Sequence, residues 1–237
     1  MNLILLFPDD FAANNSMLVR LQGRRLKHVL EVHRASIGDE LCVGLVNDRI
    51  GIGKVTHLSA SVLEMEIRFE RPAPPLLPVT LVLALPRPKV LRRVLRSVSA
   101  MGVKRMVLLN SFRVEKSFWQ SPFLNPEDIH EQLVLGLEQA RDTMLPEVLL
   151  RPLFKPFVED ELPSLIKGTL PLVAHPAAAE PCPRALKEPV TLAIGPEGGF
   201  IPYEIKKLAA CGFSPVQMGE RILSVEAAVP ALLSRLF

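Results

Sequence analysis

The sequence predicts an α/β protein in which a small β-barrel precedes a domain with a mainly parallel sheet. Three observations support this prediction: short β-like runs between residues 40 and 69, four prolines within residues 72–78, and buried strands alternating with amphipathic helices after residue 79. The 237 residues, 49% hydrophobic and 22% charged, are typical of a globular chain and exclude a disordered one. We expect two domains, residues 1–72 and residues 79–237, separated by the proline-rich stretch.

The first domain combines one helix with three strands. The predicted elements are a helix over Leu21–Val32 and strands over Glu40–Leu45, Ile50–Thr56 and Val62–Phe69. Gly38-Asp39 and Asn47-Asp48 supply turns, and the last strand alternates apolar with polar residues as a half-buried strand does. Because the helix is basic, we interpret this barrel as an RNA-holding module, although small barrels serve many functions.

The second domain alternates strands and helices. The predicted elements are strand Val79–Leu85, helix Lys89–Met101, strand Arg105–Leu109, helix Pro126–Arg141, strands Leu170–Ala174 and Val190–Ile194, helix Pro202–Cys211, strand Pro215–Met218 and helix Val225–Leu236. The continuous apolar run of the first strand is typical of a strand buried on both faces of a parallel sheet. We expect Asn125 to cap the helix that follows it, and Pro230 either to bend the last helix or to confine it to its first turn.

The positive charge is concentrated in two places, although the net charge is only +3. Residues 86–116 contain nine basic residues and one acidic residue, and residues 20–34 hold a second cluster. One such cluster is typical of a solvated helix face, but two favour a polyanion such as RNA or DNA. The candidate RNA contacts from these clusters are Arg20, Arg24, Arg25, Arg34, Arg92 and Arg96.

Several classes of protein are excluded by what the sequence lacks. No run approaches the length of about 20 apolar residues that a membrane-spanning helix needs, and the first residues lack the basic region and cleavage site of a secretory signal. Three scattered cysteines form neither a disulfide framework nor a metal motif. We therefore expect a cytoplasmic protein with no metal and no membrane partner.

Two loops in the second domain are candidates for a ligand site, because loops that follow parallel strands meet at one edge of the sheet. The first, Gly195–Phe200, contains three glycines and matches neither a dinucleotide fingerprint nor a Walker loop. By itself it would more often be a structural turn. In the second, residues 218–227, Ser224 and Glu226 suit the start of the last helix, but that role does not explain Arg221 or the apolar residues beside it. We predict a cavity for an amphipathic ligand between the two loops.

Together the two loops carry a resemblance to a known family. GPEGGF at Gly195–Phe200 and MGERILSVEAA at Met218–Ala228 resemble the motifs of the SPOUT-class 16S ribosomal RNA uridine-N3 methyltransferases. Further matches lie in the same order along the chain, at Gly38–Glu40, Gly102–Val103, Arg113, Glu138–Gln139 and His175–Pro176. The resemblance covers essentially the whole chain. It implies a PUA-like RNA-binding barrel, a trefoil-knotted SPOUT domain that binds S-adenosylmethionine, and a homodimer.

The resemblance also assigns roles to residues. It implies that the methyl donor is bound by His175, Gly195, Glu197, Gly198, Met218, Gly219, Ile222 and Leu223. It adds Arg113 and Arg141 to the candidate RNA contacts. Arg221 and Glu226 are the candidate catalytic residues: the carboxylate would take the N3 proton of uracil, directly or through water, and the guanidinium would stabilise the anion. This chemistry needs no metal.

The sequence departs from the family at several positions, and these departures keep three functions open. Ser224 and Val225 replace the usual Arg and Thr, Ala100 replaces Glu, and Asp142 stands where Arg is usual. The leading function is methylation of N3 of uridine 1498 in 16S ribosomal RNA, alone or in the small subunit. The alternatives are a SPOUT methyltransferase with another RNA target and a noncatalytic RNA-binding assembly factor. The apolar last helix fits a dimer interface, although a helix in a monomer core would look the same.

Overall fold

A computed structural model describes residues 2–12 and 15–237. Contacts between Cα atoms divide the chain into two compact units. The first unit runs up to Pro75 and also contains Val134–Leu145, whereas the second contains Leu76–Leu133 and Pro146–Phe237. The first unit is therefore discontinuous in sequence, which the sequence did not predict.

The first unit is built on a curled six-stranded sheet. Its strands are β1 (Ile4–Leu6), β2 (Phe11–Ala12), β3 (Asn15–Leu21), β4 (Glu40–Leu45), β5 (Ile50–Leu58) and β6 (Leu63–Arg71). They lie in the order β1-β4-β5-β6-β3-β2; β1 pairs with β4 in parallel and the other pairs are antiparallel. The three predicted strands are present, but the sequence missed the first three.

The predicted helix of this unit starts later than expected. Leu21 lies in β3, paired with Leu63, and is buried in the core, so its apolar side chain belongs to a strand and not to a helix. Helix α1 (Gly23–His28) follows, and its chain continues as a π-helical turn over Val29–His33. Inward-facing residues of the sheet, with Leu26 and Val29 from this helical segment, form one apolar core.

The second unit has a six-stranded sheet in which every pair is parallel. Its strands are β7 (Val79–Ala84), β8 (Arg105–Leu109), β9 (Glu147–Arg151), β10 (Leu170–Ala174), β11 (Val190–Ile194) and β12 (Ser214–Val216). Their order is β12-β10-β11-β7-β8-β9. The central strands β7, β8 and β11 are buried on both faces, which explains their continuous apolar sequences.

The described chain has six further α-helices. They are α2 (Pro88–Ala100), α3 (Pro126–Ala140), α4 (Phe154–Pro156), α5 (Leu162–Leu165), α6 (Pro202–Ala210) and α7 (Val225–Leu236). Asn125 immediately precedes α3, and its carbonyl accepts a bond from the Ile129 N–H, as expected of a residue that begins a helix. The residues of helix α3 up to Leu133 belong to the second unit, and those from Val134 onward belong to the first.

One of the two predictions for Pro230, that it would confine the last helix to its first turn, was wrong. Helix α7 continues through Pro230 to Leu236. A proline inside a helix costs about 3 kcal/mol. The helix continues because Val229, Leu232, Leu233 and Leu236 are fully buried in the second unit. They are among the apolar residues of the last helix that fit either a dimer interface or a monomer core, and in this single chain they form part of the core.

The described residues, with positions 1, 13 and 14 left aside, contain no helix that is both long and apolar enough to cross a lipid bilayer.

Candidate active site

A cavity of about 340 Å³ opens at the carboxyl ends of three neighbouring strands in the second unit. Strands β12, β10 and β11 are adjacent and parallel, so the loops that follow them meet at one edge of the sheet. Residues 174–177, 194–200, 216–219 and 221–223 of these loops form most of the wall, and α7 contributes Val225, Ala228 and Leu232. The two loops selected from the sequence therefore lie together.

The first loop needs glycine for steric reasons. A Cβ atom on Gly195 would lie 2.8 Å from the Phe200 backbone nitrogen, closer than such atoms approach in proteins. Gly199 has φ +72° and its N–H donates to the carbonyl of Pro196 over 2.7 Å, which closes a tight turn. The Glu197 carboxylate accepts a bond from the Arg87 backbone N–H over 3.0 Å, so this turn is also tied to the loop after β7.

The second loop presents apolar side chains to the solvent. Ile222 is 81% exposed and Leu223 is 38% exposed, yet both line the cavity. Gly219 has φ +113°, a backbone conformation that favours glycine, and its N–H donates to the side chain of Gln217. Exposed apolar residues beside a polar rim are typical of a ligand site, because a bound molecule would cover them.

The structure brings together the residues predicted to bind the donor. All eight line the cavity: His175, Gly195, Glu197, Gly198, Met218, Gly219, Ile222 and Leu223. Arg221 and Arg113 also line it, and the Arg113 guanidinium donates to the carbonyl of Gly198. The sequence missed the apolar wall formed by Ile194, Val216 and Leu232, which carries no signal beyond that of ordinary core residues.

Glu226 lies beside the cavity and is not among the described residues that form its wall. It is in the first turn of α7, and its carboxylate accepts a bond from the Arg93 guanidinium of α2 over 3.0 Å. Both side chains are partly exposed, so the ion pair orients the carboxylate without contributing much stability. The sequence did not identify Arg93 as its partner, since 133 positions separate the two residues.

A buried carboxylate holds the loop after β8 against the start of α6. Glu204 is 3% exposed, and one carboxylate oxygen accepts from the Ile201 N–H over 2.9 Å. Its other oxygen accepts from the Phe112 N–H over 2.7 Å. Pro202 followed by an acidic residue two positions later is a helix-start pattern, which indicates the first contact but not the second.

We expect Glu204→Ala to lower the free energy of unfolding by about 2–4 kcal/mol, because two backbone N–H groups would lose the buried, charged acceptor that they share. Denaturant unfolding followed by circular dichroism measures this change. Glu188→Ala, at an exposed position of the same unit, is the control and is expected to stay within about 0.5 kcal/mol of the parent protein. Equal stabilities of the two variants would contradict a structural role for Glu204.

Several of the predicted RNA-binding arginines already have partners in the first unit. Arg24 donates two bonds to the carboxylate of Glu138, over 2.8 and 3.2 Å, and Arg25 binds Asp10 over 2.6 Å. Arg20 lies 3.7 Å from Glu64. Paired bonds between arginine and a carboxylate are strong and directional, so Arg24 and Arg25 have a structural role whatever else they bind. Arg34 and Arg141 both adopt left-handed backbone, with φ values of 50° and 55°.

The basic face of α2 is partly engaged within the second unit. The Arg96 guanidinium donates to the side chain of Gln132 over 2.6 Å, and Arg92 lies over the ring of Phe123, 4.8 Å from its centre.

Asp142, which replaces the arginine usual in the family, accepts bonds from the backbone N–H groups of Thr143 and Met144. The aspartate therefore stabilises a turn after α3.

The arrangement suits proton transfer and binding more than covalent catalysis. None of the described residues on the cavity wall is a cysteine, and burial raises the pKa of the nearby Cys182 thiol, which keeps it in its unreactive neutral form. A carboxylate at Glu226 and a guanidinium at Arg221 instead flank an apolar cavity. Such a pair can take a proton from a ligand and stabilise the resulting negative charge.

Comparison with known proteins identifies the family. The sequence model of a family described as RNA methyltransferase domain matches residues 72–237. The chain belongs to the RNA methyltransferase family. The methyltransferase activity expected from the two loop motifs is thereby confirmed at the level of the family.

Two relatives along most of the chain agree with this membership. The RNA methyltransferase is 29% identical over 235 residues to ribosomal RNA small subunit methyltransferase E of Treponema pallidum, covering 96% of this chain and 88% of the relative. The chain is also 29% identical over 230 residues to the protein of the same name from Synechocystis. This match covers 92% of this chain and 72% of the relative.

The fold matches solved structures along almost the whole chain. A ribosomal RNA small subunit methyltransferase E from Neisseria gonorrhoeae, bound to S-adenosylmethionine, gives a TM-score of 0.79 at 21% identity and covers 99% of this chain and 95% of its own. A Legionella pneumophila structure with the same cofactor bound gives a TM-score of 0.76 at 22% identity. It covers 99% of this chain and 96% of its own. These matches confirm the predicted α/β fold with a mainly parallel sheet.

Proposed function

We propose that this protein transfers a methyl group from S-adenosylmethionine to N3 of uridine 1498 in 16S ribosomal RNA. The observation that carries the proposal is the cavity, because its wall contains every residue that the resemblance assigned to the methyl donor. The relatives named small subunit methyltransferase E, and the bound S-adenosylmethionine in the Neisseria structure, support methyl transfer from this donor to small-subunit ribosomal RNA.

The residues of the cavity fit such a donor. A volume of about 340 Å³ lies in the range typical of small-molecule sites. Ile222 and Leu223 offer an apolar surface, while the glycines of the first loop let a ligand approach the backbone closely. When bound, S-adenosylmethionine supplies a methyl group on a positively charged sulfur.

The residues beside the cavity would prepare the uracil for reaction. N3 carries a proton at neutral pH, and this proton must leave for N3 to become a good nucleophile. In our proposal Glu226 accepts it, directly or through water, and Arg93 holds the carboxylate in place. Arg221 on the cavity wall stabilises the negative charge that develops on the base. The base must first leave its stack to reach this position.

The proposal extends to the architecture and partners of the protein. In it, residues 1–72 act as a PUA-like RNA-binding domain, residues 79–237 form the trefoil-knotted SPOUT domain, and two chains form a homodimer in the cytoplasm. The curled sheet of the first unit and the parallel sheet of the second support the first two parts. The substrate is 16S ribosomal RNA, alone or in the small subunit.

We expect the double substitution Arg92→Glu with Arg96→Glu to weaken RNA binding and to flatten its salt dependence. The slope of log K against log salt is negative. If each arginine contacts one phosphate, the magnitude of this slope decreases by about 1.4–1.8. Binding titrations at several salt concentrations measure it. Arg105→Glu is the control, because Arg105 begins β8 at the opposite end of the strand from the cavity. An unchanged slope in the double variant would place the RNA on another surface.

Mass mapping of 16S ribosomal RNA tests the proposed reaction directly. RNA from a strain that lacks this protein should have lost one methyl group at the target uridine, and purified protein with S-adenosylmethionine should restore it. An unchanged methylation profile would contradict the proposal. A lost methyl group in another RNA would instead support the second candidate, a SPOUT methyltransferase with a different target, which Ser224, Val225 and Asp142 favour.

A further inference from the structure

An exposed aromatic residue is the chain neighbour of a residue on the cavity wall. Phe112 is 78% exposed and follows β8 on the loop that leads to Arg113, a residue of the cavity wall. A single exposed apolar residue is common on protein surfaces and does not indicate a function. The features of this phenylalanine that need explanation are its position and the way its backbone is held.

The backbone around Phe112 is anchored on both sides although its ring is in solvent. The Phe112 N–H donates to the buried carboxylate of Glu204 over 2.7 Å. The next residue, Arg113, donates through its guanidinium to the carbonyl of Gly198 in the first cavity loop. Ser111 and Val114 are both buried, and the Val114 N–H donates to the Ser111 carbonyl over 3.0 Å. The chain therefore holds this ring at a defined place.

The methyl donor does not account for the exposure of Phe112. The exposed apolar residues Ile222 and Leu223 line the cavity and would be covered by a bound donor. Among the residues that the structure describes, Phe112 lies outside the cavity wall, one position from Arg113. Its ring is therefore available to a second ligand that enters beside the donor.

We infer that the ring of Phe112 stacks on an unpaired base of the RNA substrate, next to the uridine whose base enters the cavity. This inference rests on the proposed function. Proteins hold unpaired bases on exposed aromatic rings, and the stacking tolerates any base because each has a π-face. Because Phe112 lies outside the cavity wall, it would position the RNA and would not touch the reacting atoms. The guanidinium of Arg113 has five N–H groups, of which the bond to Gly198 needs one, so it can also bind a phosphate beside the stacked base.

Three substitutions test the inference because they separate the π-face from apolar size. Steady-state methylation of 16S ribosomal RNA from a strain that lacks the protein gives KM for RNA and kcat, and calorimetry gives Kd for S-adenosylmethionine. We expect Phe112→Ala and Phe112→Leu each to raise KM by about tenfold, and Phe112→Tyr to stay within about twofold of the parent. The values of kcat and of the donor Kd should not change, because the ring is outside the cavity.

Each result decides the matter. A KM for Phe112→Leu equal to that of the parent protein would overturn stacking, because leucine keeps the apolar surface and lacks the ring. A parallel rise in the donor Kd would also overturn it, since it would show that Phe112 shapes the cavity. If the parent protein methylates the RNA and Phe112→Ala behaves like it, this inference fails and the proposed function stands. If the parent protein transfers no methyl group, both fail. The leucine and tyrosine variants keep the comparison valid if the alanine variant folds poorly.

Discussion

Glu226→Ala should lower the rate of methyl transfer by about 10²–10⁴-fold, the usual contribution of a general base. The donor affinity should remain near that of the parent protein, because Glu226 is not among the described residues of the cavity wall. Single-turnover methylation measures the first quantity and calorimetry with S-adenosylmethionine measures the second. We expect a lower rate together with an unchanged donor affinity because the carboxylate lies beside the cavity and not in its wall.

Two further variants show whether the loss is chemical or structural. Glu226→Gln keeps the size of the side chain and an oxygen that can accept from Arg93, yet it cannot take a proton, so we expect a loss as large as that of alanine. Glu220→Ala removes an exposed carboxylate from the loop before α7 and should retain most of the activity. If Glu226→Ala weakens donor binding as much as methyl transfer, the residue supports the cavity and the proton acceptor is another group.

Gly195→Ala is expected to weaken donor binding strongly. The added Cβ atom would lie 2.8 Å from the Phe200 nitrogen and 3.1 Å from Gly199, and both contacts are backbone atoms that cannot rotate away. Overpacking of this kind costs about 1–3 kcal/mol, and the first loop would move to relieve it. Because that loop forms one wall of the cavity, the donor affinity should fall by about 10- to 100-fold. Calorimetry with S-adenosylmethionine measures the change.

Gly198→Ala is the matched control for this prediction. Its Cβ atom would lie 2.9 Å from Cδ of Arg113, which belongs to a flexible side chain and can move. The variant should therefore keep donor affinity within about fivefold of the parent, less than the cost of a backbone clash. Equal losses in the two variants would mean that the loop tolerates no added atom anywhere, and the steric argument for Gly195 would be wrong.

Local sequence patterns predicted much of the second unit. The strands Arg105–Leu109, Leu170–Ala174 and Val190–Ile194, and the helix Val225–Leu236, have the predicted bounds. These strands are short, mostly apolar runs with polar residues, glycine or proline on either side, so their signal is contained within a few residues. The two cavity loops were also found from sequence, because glycines after a buried strand mark an unusual backbone.

Contacts between distant parts of the chain could not be predicted in this way. Arg93 with Glu226 and Glu204 with Phe112 are separated by 133 and 92 positions, and neither pair has a local pattern. Strand β9 was missed because Glu147–Arg151 is only partly buried and lies at the edge of its sheet. Helix α7 continues through Pro230 because tertiary packing outweighs a local preference, and the sequence alone shows only the preference.

The discontinuous first unit has a consequence for how the protein is made. Leu3 and Leu5 pack with Val134 and Leu137 in one apolar cluster, and the Leu3 N–H donates to the Glu138 carbonyl over 2.9 Å. A ribosome must therefore synthesise the chain past Leu145 before the amino-terminal strands can complete their core. Contacts that span so much sequence form slowly. Part of the apolar surface of the nascent sheet thus stays uncovered until the ribosome has made a helix that is encoded more than halfway along the message.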